Sequence, residues 1–192
     1  TIILISFTLF DCWTIAKRYL NNSDFIANNK VENYHKPTKA DLQILKDKDI
    51  NYRVLNLTQN TFNESGTSYF HKSIGGYSPV KLRRYQDIIE FYMSGQFNMN
   101  IINMLNTKYF ILPNRQTGEP TVQQNPDAFG NAWFVNSVDF VDNPDEEILA
   151  IADKNLKDTA VVDKRYASMI DGVDFKRDSA SSIINTVCNP NH

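Results

Sequence analysis

Cysteine is nearly absent from this chain of 192 residues: only Cys12 and Cys188 occur, near opposite ends. A disulfide scaffold is excluded, and a single bridge could form only if the ends meet in space. The plainer reading is two separate thiols. A basic excess is missing too. Twenty Lys and Arg stand against 22 Asp and Glu, giving a net charge of −2, so the chain lacks the electrostatic footprint of a nucleic-acid binder. Glycine and proline, seven of each, are too few for a collagen-like or low-complexity chain. The three histidines, His35, His71 and His192, are scattered, and no HExxH or CxxC spacing occurs, so no metal site is expected. Gly75-Gly76 comes closest to a phosphate-binding loop but lacks its spacing. No catalytic residue and no cofactor site is therefore assigned.

What is present fits an α/β fold. Hydrophobic residues make up 42% and aromatics 12%, enough for a packed core and against disorder throughout. Strands and helices interleave, which predicts a mixed sheet flanked by helices in a single soluble domain. Strands are expected near 52–57, 108–112, 131–135, 137–141 and 159–163, with another at 181–187. Residues 114–126 are loop-like in composition. Thr38 is placed to cap a helix with Leu42 and Leu45 on one face, and Asn143-Pro144 with three acids opens another. The clearest helix spans 80–94, with Leu82, Tyr85, Ile89 and Tyr92 toward the sheet, and a short helix follows at 99–105. The leading run TIILISFTLF is shorter than the about 20 apolar residues that cross a bilayer, so it reads either as a buried strand or as the outer end of a membrane helix. Trp13, Lys17, Arg18 and Tyr19 follow it, as at a membrane–water interface.

The densest polar and aromatic stretch runs from His71 to Tyr85. His71, Lys72, Tyr77, Arg83 and Arg84 are the candidate ligand-binding residues, because aromatics stack on sugar faces and Arg grips anions in a bidentate fork. Gly75-Gly76 would let a backbone approach a ligand closely. The plainer alternative carries more weight: a turn, a packed tyrosine and a solvated basic helix face. Arg83 and Arg84 lie about 100° apart on a helix, so one is expected to pair internally, with Asp87 the partner four residues on. Asn21, Asn56 and Asn63 each match the glycan-acceptor pattern.

Several phrases together resemble the YfhO family of bacterial multi-spanning membrane proteins: DCWTIAKRYLN at 11–21, YRVLNLTQNTFNESGTSYFHKSIGGYSPVKLRRYQDIIE at 52–90, NMLNTKYFILP at 103–113, GNAWFV at 130–135 and TAVVDKR at 159–165. The family resembles large glycosyltransferases that use a lipid-linked sugar donor. The resemblance implies an extracytoplasmic (periplasmic) segment excised from a protein of the cell membrane. Residues 1–20 would leave the membrane, 21–178 would form the α/β domain, and 179–192 would begin a further strand region. It implies a non-catalytic accessory domain serving cell-envelope glycosylation, or else a purely structural or partner-binding one. The implied partners are the protein's own transmembrane region and a glycan or envelope polymer. The acidic catalyst of such transferases belongs on an early outer loop, and only Asp11 stands in a comparable setting here.

Overall fold

A computed structural model describes residues 1–28, 30 and 36–173. The expected strand at 181–187, the region 179–192, Cys188, His35 and His192 lie outside the described residues. Packing divides the chain into two units, Thr1–Pro37 and Thr38–His192.

The first unit holds helix α1 (Ile2–Tyr19), whose residues are all exposed. The buried-strand reading of the leading run is thus corrected. Ser6 and Thr8 fold their hydroxyls back onto the carbonyls of Ile2 and Leu4, so neither side chain interrupts the helix. Among the described residues, no helix is long and apolar enough to cross a membrane.

The second unit is α/β. A three-stranded mixed sheet has the order β1 (Arg53–Asn56), β2 (Thr107–Pro113), β3 (Pro120–Gln124), with β1 parallel and β3 antiparallel to the central β2. A separate two-stranded parallel sheet pairs β4 (Ser137–Val141) with β5 (Thr159–Asp163). Strand alternation decides the layers. Val54 and Ile111 point to one face, where Ala40 and Ile44 of helix α2 (Lys39–Ile44) and the ring of Tyr52 cover them. Leu55 and Phe110 point to the other. There they meet Ile89 of helix α4 (Arg83–Tyr92), Ile101 and Ile102 of helix α5 (Met99–Met104), and Ile74, Met93 and Leu156. Both isoleucines of α5 are fully buried, each worth roughly 1.5–3 kcal/mol relative to exposure. Helix α3 (Gly66–Phe70) precedes α4, and helix α6 (Pro144–Asp153) crosses from β4 to β5.

Local chemistry explains the ends of these elements. Thr38 Oγ1 accepts from the Asp41 amide at 3.2 Å, while the Thr38 amide donates to Asp41 Oδ2 at 2.7 Å, a reciprocal cap. Asn143 Oδ1 caps α6 through the Glu146 amide. Four expectations need correction. The buried side of α2 is Ala40, Asp41 and Ile44, and Leu42 and Leu45 are exposed, because the small Ala40 lets the helix settle close on the sheet. Helix α4 starts only at Arg83: Leu82 is its extended N-cap, so Leu82 and Val80 stand in solvent while Tyr85, Ile88, Ile89 and Tyr92 pack. Residues 120–124, read as loop, form the edge strand β3, whose only apolar core contact is Val122. Residues 131–135 form no strand. Trp133 instead donates Nε1–H to the Leu156 carbonyl at 2.9 Å and rests edge-on against Phe129.

Candidate functional site

Helices α4 and α6, with the start of β5, line a cleft of about 770 Å³. Its apolar wall includes Ile88 and Phe91 from α4, Ile148 and Leu149 from α6, Trp133 and Val161. Two tyrosine hydroxyls fix α4 beside it. Tyr92 donates to the Ile148 carbonyl on α6, and Tyr85 donates to the Ile74 carbonyl. Burial pushes both phenols above their ordinary pKa, since the charged form would lose water.

Arg83 and Arg84 lie on the rim of this cleft. Arg83 Nε meets Asp87 Oδ1 at 2.9 Å, the pairing its spacing foretold. Arg84 reaches across to α6 and meets Glu147 Oε2 at 2.9 Å. The buried Asp163 carboxyl at the end of β5 is held below its ordinary range, chiefly by a hydrogen bond from the Arg165 amide, with the Arg165 and Arg84 charges adding. The rim is thus two guanidiniums and their carboxylates over an apolar floor.

The other candidates do not join them. His71 is turned inward with no exposed side-chain surface, and its Nε2 lies 3.0 Å from Asp41 Oδ1. A carboxylate only accepts, so Nε2 carries the proton and donates. Among the described residues the ring's Nδ1 is buried without a hydrogen-bond partner, so no nucleophile stands beside the pair. Its visible work is to tie the cap of α2 to the segment beside β1. Lys72 and Tyr77 are exposed and do not line the cleft. The glycine pair is also spoken for. A Cβ on Gly75 would lie 2.0 Å from the Thr61 carbonyl oxygen, and Gly76, at φ +92°, donates its amide to that oxygen at 2.7 Å. The close backbone approach these glycines permit is therefore to the chain's own loop. Asn56 is buried and hydrogen-bonded to Thr67, which removes it as a glycan acceptor.

A second polar cluster escaped the sequence reading. Asp47 Oδ2 accepts from Lys108 Nζ at 2.6 Å and from the Tyr109 hydroxyl at 2.7 Å, clasping the loop after α2 to the central strand. The lysine hydrogen bond, then the tyrosine one, holds the Asp47 carboxyl down at about 2. Tyr109 is pushed up to about 12, by burial first and by the same hydrogen bond second. Among the described residues no group of His, Cys, Asp and Glu could hold a metal ion. Comparison of the chain with known protein families, characterised proteins and solved structures finds no match.

Proposed function

We propose that residues 38–173 form a non-catalytic extracytoplasmic accessory domain of a YfhO-like membrane protein serving cell-envelope glycosylation, and that the α4–α6 cleft holds an acceptor glycan or envelope polymer. The observation that carries this reading is the cleft itself. Its size suits a few sugar units, Phe91 and Trp133 offer ring faces, and Arg83 and Arg84 stand at its mouth. One specific observation favours the second reading, a structural or partner-binding domain with no glycan contact: both arginines are already engaged by Asp87 and Glu147. Titration of envelope polysaccharide fragments separates the two, followed by Trp133 fluorescence in a Trp13→Phe background. The glycan reading expects saturable binding that is lost in Arg84→Ala and Phe91→Ala and kept in Tyr77→Ala, because Tyr77 lies outside the cleft. No binding of any fragment leaves the structural reading in place.

A further inference from the structure

We propose that the irregular segment from Tyr77 to Leu82 is a membrane-surface wedge: Tyr77, Val80 and Leu82 enter the outer layer of a bilayer rich in anionic lipid, and Lys72 and Lys81 meet its phosphates. The proposal is independent of the glycan reading and goes beyond it. Val80 and Leu82, 89% and 81% exposed, are the two most exposed large apolar side chains among the described residues of their unit, and Tyr77 is 68% exposed. The segment that carries them is anchored at both ends. Gly76 and Tyr77 donate their amides to the carbonyls of Thr61 and Glu64, Ser78 Oγ bonds the Val80 carbonyl, and Tyr85 bolts the first turn of α4 to Ile74. These apolar groups therefore project from a fixed base.

Charge selects the occupant. From Ser65 to Gln86 the sequence holds Lys72, Lys81, Arg83 and Arg84 and no acid; Asp87 and Glu147 pair with the two arginines, so the unspent positive charge at the tip is that of Lys72 and Lys81. Lys72 and Lys81 enter no ion pair among the described residues, and Lys81 rests over the ring of Phe62 at 5.8 Å. Of the two acids that bound this stretch, Asp87 is taken up by Arg83, and Glu64 is turned inward: Oε1 is buried and Oε2 accepts from the Thr67 amide at 2.9 Å. The partner is thus anionic. Two nearly bare aliphatic side chains flanking a lysine present no groove or flat face to a complementary protein. Acyl chains need no matching shape to receive them, and lysine stems run along such apolar surface while the ammonium stays at the phosphates. Arg83 and Arg84 follow directly, which sets the mouth of the cleft at headgroup level.

The test uses the full chain with Cys12→Ser, Cys188→Ser and Val80→Cys, labelled at residue 80 with a nitrobenzoxadiazole fluorophore. A label, rather than sedimentation, is the readout, because α1 also exposes apolar side chains. Vesicles of phosphatidylcholine with phosphatidylglycerol are expected to blue-shift and brighten the label, and phosphatidylcholine alone is not. Lys72→Gln and Lys81→Gln should each weaken the response about fivefold. A label at Gln116→Cys, on the turn between β2 and β3, should stay in water. An unchanged label at residue 80 on both vesicle types overturns the proposal and leaves the tip to an acidic protein partner. An equal response on neutral vesicles overturns it as well.

Discussion

Replacing Asp47 by Ala should remove two charge-assisted contacts at once, and the size of the loss follows from the geometry. The carboxylate loses Lys108 at 2.6 Å and Tyr109 at 2.7 Å together. Its pKa falls from the ordinary 3.8 to about 2 in the folded state. A folded-state pKa below the unfolded one means stability that is present above 3.8 and lost as pH falls toward 2. The difference corresponds to roughly 2 kcal/mol at neutral pH, of which about half remains at pH 3. Urea unfolding followed by Trp133 fluorescence at pH 7 and pH 3, for wild type and Asp47→Ala in the Trp13→Phe background, measures both ends. The variant should be less stable by about 2 kcal/mol at pH 7, and the gap should close by about half at pH 3. A gap under about 0.5 kcal/mol at pH 7, or one unchanged at pH 3, would refute the assignment of Asp47 as a paired carboxylate.

Other substitutions test other joints. Gly75→Ala drives a Cβ onto the Thr61 carbonyl and should cost about 3 kcal/mol or more, seen as loss of a cooperative thermal transition. Thr38→Ala removes only a cap and should cost about 1 kcal/mol, whereas Asp41→Ala also strips the buried His71 ring of its hydrogen bond and should cost clearly more in the same melts. A double-mutant cycle on Arg84 and Glu147 should give a coupling below about 1 kcal/mol, because the arginine is well exposed and water screens the pair.

Features decided by neighbouring residues were legible in the sequence. The caps at Thr38 and Asn143 need only the next three residues, and Arg83–Asp87 needs one helical turn. The strands β1, β2, β4 and β5 announce themselves by apolar content. Edge strand β3 does not, because one face and one edge meet water and Val122 alone must be apolar. Residues 131–135 have strand composition for a different reason, since Trp133 is needed to pack on Phe129. The cleft was invisible because it is made across the fold: Arg84 meets a glutamate 63 residues away. His71 misled for the same reason, its partner Asp41 lying 30 residues earlier.

The two parallel pairings differ in how much chain must be gathered before they can close. β4 and β5 are joined by a single helix, so their pairing confines a short loop. β1 pairs with β2 only after α3, α4 and α5 have been folded back between them. Loop-closure entropy makes the first contact the cheaper one to form early. In folding kinetics, conservative truncations at Val138 and Val161 should slow refolding, and truncations at Val54 and Ile111 should mainly hasten unfolding. Because β2 and β3 are joined by a tight hairpin, it is the docking of β1 onto that hairpin that comes last on this account.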